Sequence, residues 1–164
     1  MNYAEALSAT AARAEHFDPG SDALHAAGQR FGAFFASFTP DAMRTKIPET
    51  YADDCWFDDT LKTVRGSEAL AHYLVESAEA CNRCTVQVED ISGGGPDVYV
   101  RWRMMIDFKK FKSGTENWTI GMTHLRFGAD GRILLHQDYW DSAEGLFIHV
   151  PVVGWAIRKI RARL

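Results

Sequence analysis

Apolar positions along the chain follow two different periods, and the change falls near residue 83. Before it, apolar residues recur at helical spacing. Tyr3, Ala4, Leu7, Ala11 and Ala14 predict an Ala-rich helix over 3–15, stopped by Asp18-Pro19-Gly20. Ser21-Asp22 caps a second helix over 22–37, where Leu24, Phe31, Phe34, Phe35 and Phe38 form an apolar stripe. Thr39-Pro40-Asp41 opens a third helix that runs towards Pro48, because proline suits a first helical turn. A short strand over 51–59 places Cys55, Phe57 and Asp59 on one face. Gly66-Ser67 then opens a fourth helix carrying Leu70, Tyr73, Leu74 and Ala78.

From Arg83 the period is two. Strands are predicted over 83–91, 97–109, 116–127 and 132–140, separated by Ser92-Gly93-Gly94-Gly95-Pro96, Lys112-Ser113-Gly114 and Gly128-Ala129-Asp130-Gly131. Loops of hairpin length make an antiparallel sheet. Helices gathered before it give the α+β class, with the helices packed on one face. In the second of these strands Val98, Val100, Trp102, Met104, Ile106 and Phe108 share a face; Tyr99, Arg101, Arg103, Met105 and Asp107 share the other. Trp118, Ile120, Met122 and His124 likewise alternate with Thr119, Gly121, Thr123 and Leu125. A sheet covered on one side should be polar on the other. The apolar residues kept there lead us to expect a partner subunit, a homodimer through the sheet face, with His124 at the interface. Beyond Asp141, residues 151–164 read as an amphipathic helix ending in Arg158, Lys159, Arg161 and Arg163. It either packs over the open end of the domain, its cations near the helix C-terminus, or makes a peripheral membrane contact with an anionic lipid surface.

With 164 residues, 46% hydrophobic and 24% charged, the chain fits one globular domain. We divide it into an N-terminal extension over 1–21, the main domain over 22–141 and the C-terminal helix over 142–164. A net charge of −4 argues against a general nucleic-acid partner. Gly93-Gly94-Gly95 opens no helix, so it is no phosphate cradle. Three cysteines, an odd number, do not make a secreted disulfide framework. The pair Cys81 and Cys84 lacks the second pair a structural zinc needs, and reads as two ordinary residues at a helix–strand joint. Residues 1–17 carry neither a basic nor an apolar leader, and no apolar run reaches eighteen residues. A cytoplasmic location is therefore expected, with no metal and no cofactor.

Three segments carry a family likeness: Tyr51-Ala52-Asp53-Asp54-Cys55-Trp56-Phe57-Asp58-Asp59, Arg65-Gly66-Ser67-Glu68-Ala69-Leu70 and His136-Gln137-Asp138-Tyr139-Trp140-Asp141. With the order of elements over 22–141, they resemble the nuclear-transport-factor-2-like superfamily. It includes ketosteroid isomerase, limonene epoxide hydrolase, scytalone dehydratase and the SnoaL-like polyketide cyclases. The resemblance implies a curved sheet wrapped round helices into a cone with a deep apolar pocket, and often a dimer through the sheet. It also places Asp59 where ketosteroid isomerase keeps its proton-shuttling carboxylate. Phe31 falls at that enzyme's oxyanion-hole tyrosine, and a phenyl ring donates no hydrogen bond. Thr123 stands where its protonated aspartic acid stands and retains a hydroxyl. Asp138 matches one member of the epoxide hydrolase's Asp-Arg-Asp set; Trp102 and Met104 occupy the strand that should supply the others.

Alternation puts His136, Asp138 and Trp140 on one face of the last strand, which the resemblance makes the pocket lining. An inward Asp in an apolar cavity has its pKa raised, which suits it to trade protons with a weak carbon acid or a leaving oxygen. Asp138 and Asp59 are the expected proton carriers and His136 their partner. Thr123, Trp140, Trp102, Met104, Phe31 and Phe57 are the expected ligand contacts. Asp59 is equally readable as a turn residue, and His136 beside Asp138 as a satisfied structural pair. The function expected is a small-molecule pocket protein doing cofactor-free acid/base chemistry (isomerase, dehydratase or cyclase type) on a small apolar, oxygenated ligand. The alternative is a non-catalytic ligand-binding or dimerisation module.

Overall fold

Side-chain caps set the early helix starts: Asn2, Ser21 and Thr39 each accept a backbone N–H of the first turn. The computed structural model describes residues 1–110 and 113–163, so Lys112 of a predicted turn and Leu164 of the predicted last helix lie outside the described residues. The helices are α1 (Tyr3–Thr10), α2 (Asp22–Phe35), α3 (Pro40–Thr50), α4 (Ser67–Glu79), α5 (Ser142–Gly145) and α6 (Pro151–Arg161). The strands are β1 (Tyr51–Asp58), β2 (Thr63–Arg65), β3 (Cys81–Gly94), β4 (Asp97–Phe108), β5 (Asn117–Phe127) and β6 (Ile133–Trp140). They form one curved, open sheet in the order β2-β1-β6-β5-β4-β3. The hairpins are antiparallel as expected. One pair, β1 with β6, is parallel, because the chain leaves β1 and crosses through α4 and four strands before β6 returns beside it.

Helices α2, α3 and α4 fill the concave face, where Leu24, Phe31, Phe34, Met43, Ile47, Leu70 and Leu74 pack on Val98, Val100, Trp102 and Leu125. Gly121 keeps β5 low beneath Trp102: a Cβ there would lie 2.5 Å from the indole and 2.9 Å from the Trp140 Cβ.

Three expectations need correction. The first helix ends at Thr10, not 15. α1 lies on the convex face, where Ala6, Tyr3 and Leu7 cover Trp56 and Leu135, while Phe17 bridges to Gly95 and joins the core. His124 is therefore buried under the protein's own helix and is not an exposed interface residue. Further along the convex face Trp118, Ile120, Met122 and Tyr139 of β5 and β6 stay exposed, beside Arg101 and Arg103 of β4. Finally, the body of α6 does not cover the open end of the domain. It packs chiefly on the Phe147–His149 turn and leaves Val152, Trp155 and Ile160 exposed. No described helix is long and apolar enough to cross a membrane.

Candidate active site

Between the helices and the concave face lies a cavity of about 300 Å³. Phe31, Phe35 and Phe38 of the α2 end, Phe57, Tyr73, Leu74, Val86, Trp102, Met104, Ile106 and Trp140 give it an apolar wall. The carboxylates of Asp59 and Asp138 stand in that wall, and no Lys or Arg is among the described lining residues.

Asp138 is held from behind. Its Oδ1 accepts the Thr123 hydroxyl at 2.5 Å and the His136 Nε2 at 2.9 Å. Oδ2 has no protein partner among the described residues. Nδ1 of His136 lies 2.9 Å from the Tyr51 hydroxyl, which faces no other acceptor among the described residues. Tyr51 must therefore donate to Nδ1, which fixes the tautomer with the proton on Nε2, pointing at Asp138. The Phe57 and Phe31 rings close on the imidazole at 4.5 and 5.6 Å between centroids. Burial, with the charge of Asp138 adding, keeps the Tyr51 phenol well above its ordinary range, so it stays a donor. Thr123 in turn accepts the Trp102 indole N–H at 2.8 Å.

Asp59 sits just beyond β1. Its Oδ1 accepts the backbone N–H of Leu61 and Lys62, and its Oδ2 accepts the Tyr73 hydroxyl at 2.5 Å. The Trp140 indole closes the turn by donating to the Asp59 carbonyl at 2.7 Å. Asp59 is thus both turn residue and cavity residue. Burial raises its carboxyl above the ordinary range; the three hydrogen bonds oppose the shift without cancelling it, and the Asp138 charge adds to it. The Tyr73 phenol is pushed up by burial and then by Asp59.

Of the nine residues singled out from the sequence, seven line the cavity: Asp59, Asp138, Phe31, Phe57, Trp102, Met104 and Trp140. Thr123 and His136 do not. Both are fully buried behind Asp138, so neither can touch a ligand; they orient the carboxylate. Sequence reasoning missed Tyr73, Tyr51 and the lining by Cys81 and Cys84. The α4 stripe Leu70-Tyr73-Leu74-Ser77 carried the signal for Tyr73. Burial raises both thiols, Cys84 to about 12, so they behave as apolar wall at neutral pH.

Residues 28–136 match the model of the SnoaL-like domain family. No curated protein matches the chain. Similar solved structures include a Catenulispora acidiphila protein with a ketosteroid isomerase-like fold, in complex with trimethylamine. It is 19% identical with a TM-score of 0.62, covering 73% of this chain and 88% of that one. An LEH-like epoxide hydrolase of M. tuberculosis is 16% identical with a TM-score of 0.60, covering 83% and 98%. An NTF2-like protein from Exiguobacterium sp. 255-15 is 18% identical with a TM-score of 0.59, covering 70% and 98%. At these identities the likeness is one of fold.

Proposed function

The chain belongs to the SnoaL-like domain family, and from that premise we propose that it is an acid/base enzyme of the isomerase, dehydratase or cyclase type, acting on a small apolar, oxygenated substrate. One observation carries the reading: Asp138 lines an apolar cavity with its Oδ2 unpaired among the described residues, while two donors hold Oδ1. Oδ2 takes a proton from a carbon next to a carbonyl, or from a hydroxyl. Thr123 and His136 stabilise the charge on Oδ1 and fix its direction. Asp59, raised by burial and bonded to Tyr73, supplies a proton to the leaving or enolic oxygen. Phe31, Phe57, Trp102, Met104 and Trp140 hold the hydrocarbon part.

The test is a thermal-shift panel of steroids, terpenoids and aromatic polyketides, followed by product analysis on each binder. A ligand at 100 times its Kd adds about 2.7 kcal/mol, easily seen as a raised midpoint. Binding that survives Asp138→Asn while turnover disappears supports the enzyme. Binders that are never turned over would instead make this a ligand-binding module. We also propose a homodimer through the open part of the convex face, on the exposure of Trp118, Ile120, Met122 and Tyr139. In light scattering Ile120→Lys should then halve the mass of the native species, and a native monomer sinks that proposal.

A further inference from the structure

The last helix leaves one apolar side largely exposed among the described residues. Gly154 faces inward: its Cα is so close to the Ile148 carbonyl that a Cβ would lie 2.0 Å from the oxygen. On that same side Arg161 pairs with Glu144 and, at 3.1 Å, with Asp141. These contacts turn the opposite side outward, and Val152 is 78% exposed, Ile160 60% and Trp155 58%. At 100° per residue, Val152, Val153, Ala156 and Ile160 form one stripe.

Charge decides what covers it. Residues 145–164 contain four basic and no acidic side chains, whereas the rest of the chain has 14 basic against 22 acidic and stands at −8. Arg158, Lys159 and Arg163 have no acidic partner among the described residues; Arg158, near the Gly154 side, donates to the Ile148 carbonyl at 3.2 Å, and Lys159 lies over the Trp155 ring at 5.2 Å. The apolar surfaces of a second copy offer no complement: its open sheet patch is bordered by Arg101 and Arg103, which share Glu89, and its own α6 is cationic. Apolar stripe, tryptophan and unpaired cations together match a surface that is oily below and anionic above. We infer that α6 is an interfacial helix that docks the protein on an anionic lipid bilayer. The negative body is repelled by the same surface, so the protein approaches with α6 leading. The segment that carries α6 also lines the cavity through Leu146, which sets the cavity close to the membrane from which an apolar ligand would come.

This inference does not rest on the proposed catalysis, and its test keeps the two apart. Full-length protein is co-sedimented with vesicles of phosphatidylcholine alone and of phosphatidylcholine mixed with phosphatidylglycerol. It should pellet with the mixed vesicles at low salt and be released by high salt. Each cation removed should weaken binding about fivefold, so Arg158→Gln/Lys159→Gln/Arg163→Gln should cost about a hundredfold. Ile160→Asp should abolish binding while leaving the melting temperature and cavity ligands untouched, since Ile160 is exposed. Failure of the wild type to pellet, or pelleting unchanged by Ile160→Asp, overturns the inference. So does an Ile160→Asp that splits a dimer in light scattering, which would make the stripe a protein interface.

Discussion

Two Tyr–His–Asp chains run through this sheet, one on each face. On the concave face Tyr51, His136 and Asp138 are linked at 2.9 and 2.9 Å; on the convex face Tyr3, His124 and Asp97 are linked at 2.8 and 2.8 Å. Both imidazoles are buried. What differs is the far end. Asp97 meets Arg126 at 2.6 Å, and Arg126 reaches on to the Leu7 carbonyl, so the outer chain clasps α1 to the sheet. Burial alone would raise the Asp97 carboxyl, yet its hydrogen bonds hold it below the usual range. Burial holds the His124 ring below its ordinary range, and Arg126 is the permanent positive charge beside Asp97. Asp138 has a hydroxyl in place of a cation and opens on an apolar cavity. The same three residue types at the same spacing thus make a fastener in one place and a reactive carboxylate in the other. The counter-ion and the access to solvent or ligand decide which.

Asparagine at the two acids separates these roles most widely. Asp138→Asn should lower turnover about 10²–10⁴-fold, the range of a lost general base, with little change in melting temperature. Asp97→Asn should leave turnover intact and cost about 1–3 kcal/mol in denaturant unfolding. Arg126 is largely buried and loses its charge partner, although the exposure of Asp97 keeps the loss below that of a fully buried pair. Equal destabilisation by both, with turnover spared in both, would collapse the distinction.

The tyrosines sharpen it at a smaller scale. Tyr51→Phe leaves the His136 Nδ1 unpaired in the core and should cost about 1–3 kcal/mol; Tyr3 is partly exposed, so water can replace it and Tyr3→Phe should cost about 1 kcal/mol or less. Tyr51 also fixes the imidazole tautomer behind Asp138. Its loss should therefore move the pH profile of turnover, which Tyr3→Phe should leave in place. A Tyr51→Phe enzyme with an unmoved profile would reduce Tyr51 to packing.

Much of the inner site was legible because strand alternation reports which face a side chain takes. It gave Phe57, Trp102, Asp138 and Trp140 each a face of its own strand, and the family resemblance turned those faces towards one pocket. Alternation does not report depth, however. His136 and Asp138 share a face, yet Phe31 and Phe57 close over His136 and leave Asp138 at the cavity. Nor does it report what covers the other face. The apolar residues there implied a partner along its length, but α1 meets part of that need from residues 3–10. Tyr51 was illegible for a related reason: its contact with His136 spans 85 positions and follows from the parallel pairing of β1 with β6. β2, three residues long, gives too few positions to show a period.

Titration should separate the two faces by sign, with the smallest effects of the set. Burial holds the folded His124 ring below its ordinary 6.5, with Asp97 offsetting only part of the shift. The unfolded chain therefore binds more protons just below pH 6.5, and the outer clasp loses stability as pH falls through that window. Asp59 behaves oppositely. Its folded carboxyl lies above the ordinary 3.8, so the folded state holds the extra proton and stability declines as pH rises from 3.8 to the folded value. Asp97, lowered by its partners, acts only below 3.8 and does not mask this. Unfolding free energies measured by denaturant across these windows should show that His124→Gln flattens the limb just below pH 6.5. Asp59→Asn should remove the decline above 3.8 and leave the protein more stable at neutral pH, since the amide keeps the two backbone N–H bonds without the buried charge. An Asp59→Asn protein that is less stable than wild type at neutral pH would mean that the carboxylate is favoured where it stands, and Asp59 would lose its claim to be the proton donor of the cavity.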